Sequence, residues 1–124
     1  MAAHRFSVAT ASCPQRIWAV LTNPAGLYGI EVASTWEPGA GVSLSACAAP
    51  PLPGRVLHSA PPDRLSFVVE DPSGESTYVT WELRGVGRGA VVRLYVDETT
   101  PSAEEDAEDV WLPILGRLTD LVRA

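Results

Sequence analysis

Between residues 31 and 98 the chain alternates short apolar segments with tight turns that are rich in glycine and proline. Connections this short join antiparallel neighbours, because a parallel pair of strands needs a crossover of a dozen or more residues. The proline-rich stretch APPLPG is assigned to one of these connections. The pattern predicts an antiparallel sheet of about seven strands. These strands are HRFSVAT, EVASTW, VSLSACA, RVLHSA, RLSFVVE, TYVTWELR and AVVRLYVDE.

Two segments have helical periodicity instead. In SCPQRIWAVLTNP, Ser12 or Cys13 can cap a helix that has Pro14 in its first turn and ends at the Asn-Pro pair. The C-terminal segment EEDAEDVWLPILGRLTDLVRA, residues 104–124, predicts a longer amphipathic element. Its acidic start precedes an apolar stripe at steps of three and four residues: Val110, Trp111, Ile114, Leu115, Leu118, Leu121 and Val122.

Pro113 interrupts this C-terminal periodicity. A proline inside a helix costs about 3 kcal/mol, because it removes one hydrogen bond and clashes with the preceding turn. A proline in the first turn costs little, since the N–H group that it lacks would have no partner there. We therefore expect the regular part of the helix to begin near Trp111, with Pro113 in its first turn.

An antiparallel sheet has to bury one face, and the C-terminal segment carries the long apolar stripe that can cover it. The expected fold class is therefore α+β, a curved antiparallel sheet wrapped around the C-terminal helix, with a short helix after the first strand. No internal repeat or shift in composition divides the chain. Residues 1–124 are predicted to form one domain.

Composition argues against several classes of function. The net charge of −6 and a pI near 4.7 argue against a nucleic-acid partner, which requires a basic face. All nine basic residues are arginines, so neither a Schiff-base lysine nor a phosphate-loop lysine is available. The sequence also contains no established metal-binding or nucleotide-binding motif. These features predict no metal site and no cofactor.

Location follows from the absence of targeting signals in the sequence. No stretch approaches the roughly 18 apolar residues that span a bilayer, and the N-terminal residues lack the pattern of a secretory signal. We predict a cytoplasmic protein without a membrane partner. Cys13 and Cys47 lack the spacing of a metal site, and both are expected to be buried, reduced thiols with a structural role.

Five segments resemble those of a known superfamily and occur in its order: RIWAVLTNP, WEPGAGVSL, GRVLHSAPPDRLSF, TYVTWELRGVGRGAVVRLYV and VWLPILGRLTDLV. The most specific pattern is G-x-V-x-x-x-x-P-P-x-x-L, from Gly54 to Leu65. The sequence resembles the START-like (SRPBCC) superfamily and, within it, the branch of homologues of the activator of heat shock protein 90 ATPase. The resemblance implies the helix-grip fold, in which a cavity between sheet and helix holds a hydrophobic ligand.

One region departs from this resemblance. Only the segment AGLYGIEVAST separates Pro24 from Trp36, whereas the family usually has a longer segment with tryptophans near its start. Tyr28 stands roughly where such a tryptophan would lie. Because this segment normally closes the family's cavity, we expect an altered mouth or a smaller cavity.

Strand alternation predicts which side chains face the C-terminal helix. Phe67, Trp81 and Leu94 fall on the apolar faces of their strands, where they fit either ordinary core packing or a cavity wall. His58 is two residues from Val56 and is expected to share its inward direction, where an imidazole can orient a ligand. Together with the resemblance, this gives the predicted ligand-binding residues Trp36, His58, Phe67, Trp81, Leu94, Trp111 and Leu115.

The expected function is non-catalytic binding of a small hydrophobic molecule between the sheet and the helix, by a monomer or a homodimer. The resemblance leaves two alternatives open, since a fold does not determine function. A polyketide cyclase or aromatase would need a proton-transferring group, for which His58, Tyr28 and Tyr95 are the candidates. A protein-interaction module would use an exposed face or edge of the sheet.

Overall fold

The computed structural model describes residues 2–22, 27, 31–46, 49–70, 75–98 and 104–123, so Tyr28 and Cys47 lie outside the described residues. Seven strands and two helices occupy these ranges. In chain order they are β1 (Ala2–Thr10), α1 (Pro14–Thr22), β2 (Glu31–Ala33), β3 (Gly41–Ala46), β4 (Ala49–Ala60), β5 (Arg64–Glu70), β6 (Ser76–Val86), β7 (Gly89–Glu98) and α2 (Glu104–Arg123).

The strands form one antiparallel sheet in the order β1-β7-β6-β5-β4-β3-β2. From β2 to β7, each strand pairs with the next along the chain, and β1 pairs with β7 at the opposite edge from β2. Six strands are long, whereas β2 has only three residues. The predicted α+β class is confirmed, with six long strands and one short edge strand around α2.

The core lies between α2, α1 and one face of the sheet, which we call the inner face. Alternate residues of β6 and β7 are buried on this face, as their alternation predicts. They are Val79, Trp81, Leu83, Val92, Leu94 and Val96. The intervening residues point to the opposite face, which we call the outer face.

The start of α1 has the capping geometry that the sequence predicts. The carbonyl of Cys13 accepts a hydrogen bond from the backbone N–H of Arg16 at 3.1 Å, which places Pro14 at the first helical position. The Cys13 thiol is free and exposed, so the expectation of a buried thiol at this position is wrong. Ser12 donates its hydroxyl to the carbonyl of Val122 at 2.9 Å, which ties the start of α1 to the end of α2.

α2 continues through Pro113, so the expectation that Pro113 lies in the first turn is wrong. Pro113 lies on the exposed side of the helix. The carbonyl that its missing N–H would have bonded belongs to Asp109, which is also exposed. Because water can hydrate that carbonyl, the lost hydrogen bond costs less here than it would in a buried helix.

The proline-rich stretch that was expected to form a connection is instead part of β4. Residues 49–53 extend β4 beyond its pairing with β5, which begins with Gly54 opposite Val69. This extension pairs with β3, for example Leu52 with Leu44. A strand with one unpaired side accommodates prolines, because the missing N–H groups can face away from the ladder.

Candidate ligand-binding site

Aromatic side chains of the inner face gather in the core shared with α2. Phe67 on β5 and Trp81 on β6 are buried, as is Trp36 between β2 and β3. The rings of Trp36 and Phe67 meet edge to face, with centroids 5.7 Å apart and planes inclined by 69°. This is a favoured geometry for aromatic pairs. Leu94 lies opposite Trp81 and is also buried, so the four predicted residues of the sheet side belong to one cluster.

The backbone of Trp36 adopts a left-handed conformation, with φ of 61°. Bulky residues rarely have a positive φ, because the side chain then crowds the neighbouring carbonyl. The Trp36 N–H donates to the hydroxyl of Ser34 at 3.1 Å, and the ring is fixed by its burial against Phe67. The predicted strand EVASTW ended at Trp36, but only Glu31–Ala33 is a strand, so Trp36 lies outside the observed strand.

The apolar stripe of α2 is covered unevenly along the helix. Four stripe residues are buried: Ile114, Leu115, Leu118 and Val122. Trp111 is only partly buried, although it packs against the core cluster. Val110 and Leu121, which were predicted to belong to the stripe, are exposed. The first half of α2 is therefore where the interior comes closest to solvent among the described residues of the helix.

A polar contact on the inner face, between His4 and Glu98, was missed in the sequence. Nε2 of His4 lies 3.1 Å from Oε1 of Glu98, and the two side chains are 8% and 24% exposed. His4 pairs with Val96 across β1 and β7, so it faces inward, and Glu98 follows two residues later on the same face. Strand alternation could have predicted that His4 faces inward, because His4, Phe6 and Val8 are spaced two residues apart along β1.

The contact between His4 and Glu98 lies at the end of the sheet from which the chain passes into α2, since β7 ends at Glu98 and α2 begins at Glu104. Trp111 is about 10 Å along the helix axis from that start, at 1.5 Å per residue.

The predicted inward orientation of His58 is wrong. The pairing of β4 with β5 shifts its register between Val56 and His58, which marks a β-bulge containing Leu57. Val56 pairs with Phe67 on the inner face, whereas His58 pairs with Ser66 on the outer face. Because the bulge adds one residue, His58 points away from the core and is exposed.

Two of the three proton-transfer candidates of the enzyme alternative, His58 and Tyr95, lie among the described residues, and neither faces inward. Tyr95 lies on the outer face of β7, opposite Arg5 of β1. His58 is on the same outer face, where the hydroxyls of Ser66 and Thr80 form a hydrogen bond of 2.8 Å. Neither His58 nor Tyr95 can therefore reach a molecule held between the sheet and α2.

Comparison with known families places this arrangement in context. The family model described as activator of Hsp90 ATPase homolog 1-like protein matches residues 11–123. The chain belongs to this family. The match runs from the residue after β1 almost to the end of α2, which confirms the resemblance that the five segments indicated. No curated protein matches the sequence.

Several solved structures are similar in fold to this member of the Hsp90-activator-like family. DynU16, from the dynemicin biosynthetic locus, has a TM-score of 0.84 and 20% identity over 98% of this chain, which spans 47% of DynU16. CalU16 from Micromonospora echinospora has a TM-score of 0.80 and 17% identity, with 97% and 75% of the two chains covered. The Aha1 dimer from Colwellia psychrerythraea has a TM-score of 0.77 and 16% identity, with 98% and 96% covered. At these identities the likeness establishes the START-like fold.

The described part of this family member contains no group of three or more His, Cys, Asp or Glu side chains that could hold a metal ion. None of its helices is both long enough and apolar enough to cross a membrane.

Proposed function

We propose that this member of the Hsp90-activator-like family binds a small hydrophobic molecule between the inner face and α2, without catalysing a reaction on it. The observation that carries the proposal is the combination of aromatic side chains and one polar pair, His4 and Glu98, on an otherwise apolar face. Small-molecule sites have this composition, with mostly apolar and aromatic walls and a few placed polar groups.

Apolar contact supplies most of the affinity in this proposal. Trp36, Phe67 and Trp81 form the wall on the sheet side, and Leu115 and Trp111 form the wall on the helix side. Each 100 Å² of apolar surface that leaves water contributes about 2.5 kcal/mol. Partial burial of Trp111 supports this placement, because a side chain at the margin of the core can move aside for a guest more readily than an enclosed one.

The polar pair of His4 and Glu98 orients the molecule. Glu98 is 24% exposed, and a carboxylate accepts several hydrogen bonds, so it can accept one from the molecule while it contacts His4. A hydrophobic molecule with one hydroxyl or N–H group at its end matches this arrangement. His58 and Tyr95 are excluded from the contact because they lie on the outer face.

The proposal is tested with Nile red, an uncharged apolar dye whose emission shifts to the blue when it leaves water. The purified protein is expected to bind the dye saturably. Trp111→Arg should abolish that binding, because it places a charge at the edge of the site. Val110→Arg is the matched control, since Val110 is the neighbouring helix residue and is 56% exposed. Circular dichroism and thermal unfolding establish that each variant is folded.

Trp111→Ala provides a second variant if Trp111→Arg does not fold. It should weaken dye binding by removing apolar contact while introducing no charge. Native mass spectrometry of the freshly purified protein should detect a retained small molecule, which the dye displaces. Equal dye binding by wild type, Trp111→Arg and Trp111→Ala would overturn the proposal, as would the absence of both dye binding and a retained molecule.

A further inference from the structure

The outer face of the sheet has the opposite charge to the protein as a whole. Alternation places five arginines on the outer face of β1 and β4 to β7: Arg5, Arg55, Arg64, Arg84 and Arg93. The same face of these strands carries three acidic residues: Glu70, Glu82 and Asp97. The outer face is therefore locally basic, although the chain has a net charge of −6. A basic face on an acidic protein attracts anions selectively to one side.

Two of these arginines border a depression at the β1 edge of the outer face. The depression has a volume of about 480 Å³ and is lined by Arg5, Phe6, Ser7, Arg93 and Tyr95. Arg5 pairs with Tyr95 and Ser7 pairs with Arg93 across the two strands. Opposite residues of antiparallel strands have their Cβ atoms about 5 Å apart, and diagonal ones about 7–8 Å. Two guanidinium groups and two hydroxyl groups are thus brought within reach of one small molecule.

The charges of the depression are only partly balanced by the protein. Nη1 of Arg93 lies 3.5 Å from Oε1 of Glu82, and the two side chains are 46% and 34% exposed, so this ion pair is loose. Within the described residues, no carboxylate forms an ion pair with Arg5. Placing two arginines diagonally across neighbouring strands is unfavourable without an anion between them, since like charges on adjacent strands repel.

We propose that this depression is a binding site for a small organic anion, which it holds by a carboxylate or phosphate group. The guanidinium groups of Arg5 and Arg93 donate charge-assisted hydrogen bonds to the anion, and their planar forks match the oxygens of either group. The hydroxyls of Ser7 and Tyr95 complete the donor set. The site is separate from the proposed hydrophobic site, because the sheet lies between them.

The test follows the arginine Nε–H signals and the backbone amides of ¹⁵N-labelled protein by NMR. Inorganic phosphate and acetate are titrated separately at low ionic strength. Saturable shifts are expected at Arg5, Arg93 and Tyr95. Arg5→Gln and Arg93→Gln should each raise the dissociation constant about tenfold, the effect of losing a hydrogen bond to a charged group. Arg55→Gln removes the same charge from the same face, three strands away from β7, and should leave the constant unchanged within about twofold.

Glu82→Gln distinguishes a site from a general basic surface. Glu82 competes with the anion for Arg93, so Glu82→Gln should tighten anion binding by a few fold. If the anion were held by the basic surface as a whole, Arg55→Gln would weaken binding as much as Arg93→Gln. Stronger binding of phosphate than of acetate identifies a phosphate site, and the reverse order identifies a carboxylate site. The proposal fails if neither anion gives saturable shifts, or if Arg55→Gln weakens binding as much as Arg5→Gln. Dye binding on the inner face is unaffected by either result.

Discussion

Trp36 combines a buried ring with a backbone conformation that costs a non-glycine residue about 1–3 kcal/mol. At most positions alanine is more stable than glycine, because glycine loses more conformational freedom when the chain folds. At position 36 this order should be reversed, since only glycine adopts a φ of 61° without strain. Burial of the Trp36 ring and strain of the Trp36 backbone therefore contribute separately to the free energy of unfolding.

Trp36→Ala and Trp36→Gly should both lower the free energy of unfolding, by about 3–5 kcal/mol, because the ring is lost from the core. The glycine variant should be the more stable of the two by about 1 kcal/mol. Urea denaturation measures the difference. Val56 is the control, since it is a buried strand residue without a positive φ, and there the alanine variant should be the more stable. The same order at both positions would contradict the left-handed conformation of Trp36.

Gly89 is required where β1 meets β7. A Cβ atom at this position would collide with the carbonyl oxygen of Thr10 in the neighbouring strand. Gly89→Ala should therefore destabilise the protein by about 1–3 kcal/mol, the usual cost of overpacking. Gly41→Ala is a matched control, because an added Cβ there meets nothing within 4 Å, and its melting temperature should be close to that of the wild type. Equal melting temperatures for Gly89→Ala and Gly41→Ala would show that β1 can shift at Thr10 without loss of stability.

At the scale of the element, α2 contains two residues that are poor helix formers on its exposed surface, Pro113 and Gly116. Both positions have room for alanine, since an added Cβ at Gly116 meets nothing within 4 Å and Pro113 faces solvent. The helix forms in spite of them because Leu115, Leu118 and Val122 are buried against the core. Tertiary packing thus outweighs local propensity.

Pro113→Ala should raise the free energy of unfolding by about 2 kcal/mol, because it restores a hydrogen bond to Asp109 and removes a clash. Thermal unfolding with circular dichroism at 222 nm measures the gain. Gly116→Ala serves as the reference for a simple propensity effect, with an expected gain of about 1 kcal/mol. A loss of stability in Pro113→Ala would mean that the helix requires the bend of the proline for its packing.

The elements that the sequence predicted well are those whose pattern is local. The alternation in β5, β6 and β7 determines which face of the sheet is buried, and the structure agrees with this prediction. The stripe of α2 is confirmed at Ile114, Leu115, Leu118 and Val122 but is wrong at Val110 and Leu121, which are exposed. β4 was harder, for two physical reasons. Its prolines are compatible with a strand only because the neighbouring β5 is shorter, and its bulge at Leu57 is a property of the pairing between two strands. Neither fact is contained in the segment itself.

At the scale of the whole molecule, two hydrogen bonds connect α2 to distant parts of the chain. Ser12 binds the carbonyl of Val122, and Nε of Arg117 donates to the carbonyl of Leu27 at 2.7 Å. Leu27 is fully buried, so its carbonyl would lose its charged partner without Arg117. α2 is therefore held by directional contacts in addition to its apolar stripe.

Arg117→Met should lower the free energy of unfolding by about 2 kcal/mol, because it retains most of the apolar side chain and leaves the buried Leu27 carbonyl without this donor. Guanidinium denaturation gives the value. The control is Arg16→Met on the exposed side of α1, which should change stability by less than about 0.5 kcal/mol. Similar losses of stability in Arg117→Met and Arg16→Met would show that only the removal of a positive charge matters and that the hydrogen bond to Leu27 does not stabilise the protein.

The candidate site was predictable in its apolar part and less so in its polar part. Phe67, Trp81 and Leu94 follow from strand parity, which the structure confirms as burial. His58 was placed wrongly because parity fails across a bulge. His4 was overlooked although parity holds for it, since a histidine in a strand is more often exposed than buried. The contact between Trp36 and Phe67 depends on a positive φ that no local pattern indicates.

The pairing of β1 with β7 has a consequence for how the protein is made. Each of the pairs from β2 to β7 joins consecutive strands, so these hairpins can close while the ribosome is still adding residues. The first strand must wait, because its partner is the last strand of the sheet, with Thr10 opposite Ala90. Until then the apolar side chains of β1 stay without their neighbours. The pairing of β1 with β7 is therefore among the last sheet contacts that can form during synthesis, and β1 is the strand that waits longest for its partner.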